Sequence, residues 1–317
     1  MIRLLINGIK VSPDATEDEI LKKAKEKMKR AGLLTSTLHF RLYKKSVDAR
    51  KREDVRLVCT VLAECENEKK HFSAQSLQKA DARILEEGDL TPSYGSERMG
   101  ARPLIGGMGP AGLFAALLLA RNGYAPIVID RGASVEERAQ DVNRFRESGE
   151  LNVNSNIQFG AGGAGTFSDG KLITRIHDER CAFVLQTLKD FGAPEDILVK
   201  AKPLVGTDLL RKVVGAMLDE ITRLGGDVMY HCCMEDFSEC ADGTLSVKTS
   251  RGTLSCGAMI MAPGHSARDT YVRLLEKQFA IEPKPISVGV RAEHLQADID
   301  EALYGKFAGH PNLGPAD

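Results

Sequence analysis

The sequence predicts an α/β fold, a parallel sheet with helices on its faces, preceded by a small α+β module. From Arg102 the order is short strand, glycine-rich turn, apolar helix, strand and capped helix, a βαβα beginning that implies parallel pairing. Residues 1–70 follow a different pattern, strand, helix, strand, strand, with 17 Lys/Arg against 11 Asp/Glu. Between them, residues 71–100 lose hydrophobic periodicity and gain polar and turn residues, as a linker does.

In the first module "IRLLING" alternates as a strand, and Thr16 with Glu19 spells a capping box at the start of a helix. Ile20, Ala24, Met28 and Ala31 mark one face of that helix before Gly32 ends it. "LHFRLYKKSVDARKREDVRLVCTVLAEC" reads as two strands around a basic turn containing Lys44, Lys45, Arg50, Lys51 and Arg52. No base-stacking aromatic is interleaved there, since Phe40 and Tyr43 belong to the strand, so a solvated loop is favoured over an RNA contact. The linker is expected to hold at most one short helix.

Past the linker, Ser134 with Glu137 caps the helix that follows the strand "APIVID". "GTDLLRKVVGAMLDEITRLGG" is an amphipathic helix, expected to be capped by Thr207, lined by Leu209, Val213, Met217 and Ile221, and stopped at Gly225-Gly226. "DVMYHCCMEDF" reads as one strand, and "GTLSVKTSRGTLSCGAMIMAPG" as a hairpin feeding a last buried strand.

At 317 residues the chain is long enough for two cored domains, and a net charge of −1 supplies no overall field for nucleic acid or an acidic membrane. "MIRLLINGIK" lacks the apolar run and cleavage site of a secretory leader, and the apolar stretch Leu113 to Ala120 is too short to span a bilayer. The seven cysteines form no CxxC pair and no zinc spacing, which fits reduced thiols and a cytoplasmic location. Cys232-Cys233 reads as two strand residues facing opposite ways rather than a redox pair. No metal-ligand cluster and no catalytic triad is visible.

The chemistry concentrates in "LIGGMGPAG", residues 104–112. Between a strand and a helix, Gly107 permits a tight turn, Gly109 lets a pyrophosphate approach the backbone, and Gly112 lets helix and strand pack closely. The helix N-terminus offers N–H groups and the positive end of its dipole to phosphates. Eighteen residues after Gly112, Asp130 ends "IVID", where a carboxylate accepts hydrogen bonds from ribose hydroxyls. NAD and FAD share this fingerprint. A second glycine-rich loop, "QFGAGGAGTFSDGK", follows about fifty residues after the first. A flavin, which must be gripped far from its adenosine end, explains that loop better than a nicotinamide does.

"GPAGLFAALLLARNGYAPIVIDRG", "SNIQFGAGGAGTFSDGKLITRI", "KPLVGTDLLRKVV" and "GHSARDTY" together resemble the bacterial family of uncharacterised FAD-dependent dehydrogenases, also described as NAD(P)/FAD-dependent oxidoreductases. Their fold is the Rossmann-like FAD/NAD(P)-binding domain of the glutathione-reductase type, and the basic N-terminal segment with "KKSVDARK" resembles the family's extension. The resemblance implies an oxidoreductase with FAD as cofactor, NAD(P)H as electron partner and a small-molecule substrate. It places Gly107, Gly109, Pro110, Ala111 and Gly112 at the pyrophosphate, Asp130 at the ribose, where the family more often has Glu, and Arg131 near the adenosine half. Gly162, Gly163, Ala164, Gly165, Thr166 and Asp169 fall along the flavin or its ribitol, with Lys171 near the ring's N1 and C2 carbonyl. The strand around Met234 would meet adenine through its backbone. His265 has the chemistry of a general acid or base, but a hydrogen-bonding role at the helix start is favoured.

Gly106, Ala161 and Pro263 depart from the family pattern, and Gly106 should weaken the end of its strand. The expected domains are therefore 1–70, a basic α+β domain; 71–100, a linker; 101–275, the FAD-binding domain; and 276–317, the start of an incomplete substrate-binding portion. On this reading the chain is the N-terminal part of a longer enzyme. The rival readings are an NAD-binding dehydrogenase without flavin and a catalytically silent binding module. Substrate, catalytic residues and oligomeric state are not legible.

Overall fold

A computed structural model describes residues 2–34, 37–65, 72–85, 99–167, 170–172, 174, 176, 178, 180–290 and 292–316. Strand β1 (Ile2–Val11), helix α1 (Glu17–Arg30), β2 (Leu38–Asp48), β3 (Arg56–Cys65), α2 (Ala74–Lys79) and β4 (Ala82–Ile84) make the first unit. Its sheet is antiparallel in the order β2-β3-β1-β4. Thr16 and Glu19 close both bonds of the capping box, and Ile20, Ala24 and Met28 seal the sheet. Gly32, at φ +72°, takes the left-handed conformation that ends the helix region.

Several readings shift here. Lys44 and Lys45 lie in β2, not in the turn. Within the expected linker, α2 is followed by β4, which pairs with β1 through Leu4–Ile84, Leu5–Arg83 and Ile6–Ala82. A three-residue strand in polar surroundings leaves almost no periodic signal.

The second unit begins with β5 (Pro103–Gly106), α3 (Pro110–Arg121), β6 (Ile127–Ile129) and α4 (Val135–Ser148). It continues through α5 (Arg180–Asp190) and α6 (Thr207–Arg223) to β7 (Asp227–Met229). A three-stranded antiparallel insert follows, β8 (Met234–Glu239), β9 (Leu245–Thr249) and β10 (Gly252–Cys256), before β11 (Ala258–Met261) and α7 (Arg268–Glu276). The main sheet is parallel, ordered β11-β5-β6-β7. The chain leaves β5 toward β6 on one side, and β11 joins it on the other. That reversal is the switch point where open α/β sheets bind ligands.

The α6 face is rotated from expectation: Leu210, Val213, Val214, Met217, Leu218 and Ile221 are buried, whereas Leu209 is half-exposed. Its N-cap is Gly206 at φ +80°, so Thr207 is the first helical residue and caps nothing. "DVMYHCCMEDF" divides into β7 and β8, in different sheets, at His231 with φ +52°. β11 is an edge strand rather than a buried one, and Ile260 is half-exposed. Gly106 stays paired on both sides, with Met261 and Ile129.

Helix α8 (Gln296–Tyr304) and the residues after it return to the first unit, where Tyr304, Leu313 and Ala316 join its core. His310 Nε2 sits 2.9 Å from Asp14 Oδ1, and Asn312 donates to the Pro13 carbonyl at 2.9 Å. Of the stretch 276–317, expected to open a substrate-binding portion, the part from Ile299 on thus packs on the N-terminal unit. No helix among the described residues is long and apolar enough to cross a membrane.

Candidate functional site

The glycine loop turns at the end of β5. Gly107 has φ +112°, and a Cβ there would stand 2.2 Å from the Ala262 carbonyl oxygen. A Cβ on Gly112 would lie within bonding range of the Gly107 carbonyl oxygen, so α3 can rise this close to β5 only on glycine. Both glycines answer to the fold. Gly109 does not: its φ is −72°, and the nearest described atom to a Cβ there is Gly163 Cα at 3.8 Å, an ordinary contact. It is the N-cap of α3 yet supplies no side-chain cap, whereas Thr16 and Ser134 cap α1 and α4. Pro110, at the first helical position, has no N–H to satisfy. The start of α3 is therefore open in both shape and hydrogen bonding.

Asp130 holds the loop in place. Its Oδ2 accepts the Met108 N–H and its Oδ1 the Gly132 N–H, each at 2.8 Å, in a nearly buried setting. Each oxygen keeps a second lone pair for a hydroxyl. The Met108 carbonyl accepts the Gly162 N–H at 2.9 Å, so the two glycine loops are stapled through one residue's backbone. Gly162 at φ +84° and Gly163 at φ +65° need glycine for conformation, and Gly163 also for the close approach to Gly109. A Cβ on Gly165 meets no atom of the described residues within 4 Å. Thr166 is fully buried, and its Oγ1 has no hydrogen-bond partner among the described residues. Ala164 begins the short 3-10 turn that carries it. Asp169 lies outside the described residues. Lys171 is exposed, in a short antiparallel bridge with Leu204.

Around Asp130 runs a cleft lined by Gly106, Gly107, Phe159, Cys233, Met234, Pro263 and Thr270. Arg131 forms one wall: its guanidinium stacks 4.5 Å from the Phe159 ring centroid and donates to Asp269 Oδ1 at 2.8 Å. Burial pulls the Arg131 guanidinium down, but the Asp269 hydrogen bond together with the charges of Cys233, Asp269 and Asp130 more than offsets it, for a net rise. Burial pushes Asp269 up, and the Arg131 bond and charge carry it below the usual carboxylate range. Burial raises the Cys233 thiol, against a smaller lowering by Arg131. Cys232 is buried, and both cysteines lie in the connection between β7 and β8, not in a strand. His265 is exposed, 3.4 Å from Ser266 Oγ, and does not line this cleft.

Sequence reading missed Arg138. On α4 it is fully buried and donates to the carbonyls of Asn156, Ile157, Gly160 and Ala161 at 2.7–3.3 Å. Burial, offset in part by Asp130, lowers it to about 10. Phe167 is 4.5 Å from both Arg138 and Arg211. Arg138 thus organises the approach to the second glycine loop. In sequence it is one of many surface-like arginines on a polar helix. The "SARDTY" block did hold a signal for Asp269 and Thr270.

Residues 1–64 match a family described as a domain of unknown function, DUF8436. The chain is 42% identical over 313 residues to an uncharacterized protein of Clostridium beijerinckii. That match takes in 98% of this chain and 58% of the relative, so the chain spans under two thirds of its length. Among solved structures, Thermovibrio ammonificans THI4 is 15% identical with a TM-score of 0.38, covering 64% of this chain and 70% of its own. The L-amino acid deaminase from Proteus vulgaris is 12% identical with a TM-score of 0.36, covering 61% and 53%. The Lactococcus lactis thioredoxin reductase is 14% identical with a TM-score of 0.29, covering 52% and 35%. The strand order itself is the ground for the fold: a Rossmann-type parallel sheet with its glycine loop at the switch point.

Proposed function

We propose that this chain binds FAD and forms part of a flavin-dependent oxidoreductase. Gly109 carries the reading: neither its backbone angle nor any described neighbour requires glycine, whereas a bound pyrophosphate would. The staple between Met108 and Gly162 and the close approach of Gly163 to Gly109 extend the cradle along the second loop. Gly107, Pro110, Ala111 and Gly112 would shape the pyrophosphate end. Asp130 would accept the ribose hydroxyls, with Arg131 beside the adenosine half. Gly162, Gly163, Ala164 and Asp169 would follow the cofactor toward its ring, and Lys171 would stand near it. When bound, FAD would supply hydride exchange with a small organic substrate, and NAD(P)H is the natural electron partner.

The second glycine loop also favours FAD over NAD alone, because its staple to Met108 keeps it against the first loop. Titration of the purified chain with FAD, followed by flavin absorbance and fluorescence, tests the proposal. A bound-flavin spectrum with about one FAD per chain is expected. Binding of NADH with no binding of FAD would replace the proposal with the NAD-dehydrogenase reading.

A further inference from the structure

Strand β2 ends its sheet, and the second unit takes up its outer edge. The Lys45 N–H donates to the Val199 carbonyl at 2.8 Å, and the Ala201 N–H donates to the Lys45 carbonyl at 2.9 Å, a parallel bridge between Lys45 and Lys200. Like charges meet there, and the ion pair of Lys200 with Asp196 relieves them. Four residues on, around Leu204, the same segment pairs with the end of the second glycine loop. The Leu172 N–H donates to the Pro203 carbonyl at 2.9 Å, and the Val205 N–H to the Gly170 carbonyl at 3.1 Å. Residues 199–205 are thus a strap with backbone bonds to both units. Their exposure alternates as a strand's does: Lys200, Lys202 and Leu204 are exposed, Ala201 is half-buried, and Pro203 and Val205 are buried. The strap meets the loop without slack. Gly170, at φ +73°, would put a Cβ 2.8 Å from the nitrogen of Gly206, the N-cap of α6. Just past the first turn of α6, Arg211 stacks on Phe167. A displaced strap therefore reaches the second loop at both Gly170 and Phe167, through the contiguous hydrogen bonds and packed side chains that carry energetic coupling.

We propose that the N-terminal unit is the positioning element of the second glycine loop. The Lys45 backbone on β2, acting through the 199–205 strap, holds that loop in the conformation that receives the flavin half of the cofactor. The identity of the cofactor rests on the FAD reading above; the link from β2 to the loop does not. By linkage, FAD binding strengthens the docking of the N-terminal unit by the same factor that docking strengthens FAD binding.

The test breaks the bridge from either side in the full 317-residue chain. Ala201→Pro removes the N–H that reaches Lys45, and Lys45→Pro removes the one that reaches Val199, while neither touches the bonds of Leu172 and Val205. Ala201→Gly and Lys45→Ala keep both backbone donors and serve as the conservative partners. Hydrogen exchange read by mass spectrometry without FAD should show the Leu172 and Val205 amides exchanging about fivefold faster in both proline variants, the factor of one net hydrogen bond. The conservative variants should stay within about twofold of the parent, and the amides of β3 and β6 should keep parent rates in all four. Flavin titration should then show FAD bound about fivefold more weakly by the proline variants and near parent affinity by the conservative ones. Parent-like exchange at Leu172 and Val205 in both proline variants would overturn the proposal whatever FAD does. So would faster exchange there with undiminished FAD affinity, or a general rise across β3 and β6, which a positioning contact does not produce. Absence of FAD binding in the parent would sink the flavin reading alone, and exchange would still decide the link.

Discussion

Gly109 and Gly163 face each other where the two glycine loops meet, and they are glycines for different reasons. A Cβ on Gly163, at φ +65°, would stand 2.8 Å from Gly109 Cα; a Cβ on Gly109 would make only a 3.8 Å contact in return. Gly163→Ala should therefore cost about 2–3 kcal/mol, from left-handed backbone strain and the clash together. Gly109→Ala should cost only about 1 kcal/mol, the difference between glycine and alanine at an N-cap. In binding the effect is larger than that small loss of stability: Gly109→Ala should weaken FAD by more than about tenfold. Urea unfolding paired with flavin titration checks both halves. Equal losses of stability in the two variants would contradict this assignment.

Asp130 has a structural task as well as its proposed ribose contact. Asp130→Ala leaves the Met108 and Gly132 N–H groups without their acceptor inside the protein. Each orphaned buried donor costs about 1–3 kcal/mol, so a loss of roughly 2–5 kcal/mol is expected. Asp130→Asn keeps one accepting oxygen and should fall between the variant and the parent. Denaturant midpoints order the three proteins, and an Asn variant less stable than the Ala variant would contradict the geometry.

Arg138 makes the stability of the 156–161 stretch depend on one buried cation. Its four carbonyl acceptors include no carboxylate, and no shorter side chain reaches all of them. Arg138→Ala should cost several kcal/mol, about 1–3 for each carbonyl left buried without a donor, with early proteolytic cleavage in that stretch. Arg138→Lys should recover only part. Limited proteolysis read by mass spectrometry locates the opening, and cleavage confined to other regions would refute this role.

The pairing of Arg131 with Asp269 predicts a pH dependence in acid. Asp269 titrates below its ordinary range in the fold, because the Arg131 bond and charge outweigh its burial. The stability it contributes is fully present above the ordinary aspartate pKa of about 3.9 and is lost as pH falls through the lower folded value. The stability gap between the parent chain and Asp269→Asn should thus be fully open at about pH 6, above the ordinary aspartate range, and narrow as pH falls through the lowered folded value. Urea midpoints across that range check the sign. A gap constant with pH would mean that Asp269 acts by shape rather than charge.

Much of the Rossmann-type architecture was legible because it is local. A glycine loop between a strand and an apolar helix, an acid at the end of the next strand and a Ser–Glu cap are each written within a few residues. What escaped was long-range. β4 is three residues long and exists because β1 offers it an edge. Arg138 is buried because carbonyls 18–23 residues away converge on it. The return of Tyr304, Leu313 and Ala316 to the N-terminal core spans nearly the whole chain. The divided strand at His231 followed the backbone's left-handed turn, which no side-chain periodicity announces.

Cys233 gives a chemical reporter of the cleft. It lines the same wall as Asp130 and Met234, is partly exposed, and its thiol is raised by burial. A thiolate is the reactive form, so alkylation near pH 8 should be slow and should accelerate with rising pH beyond the usual thiol range. Arg131 opposes that rise, so Arg131→Ala should slow the reaction further at fixed pH. An adenine nucleotide occupying the cleft would cover the sulfur. Saturating FAD should therefore protect Cys233 from iodoacetamide by several fold and leave Cys240, which follows the end of β8 opposite Met234, unchanged. Peptide mass mapping of the two cysteines reads the result. Loss of protection in Gly109→Ala, with both cysteines still reacting at parent rates without FAD, would tie the adenosine cleft to the pyrophosphate loop as one site.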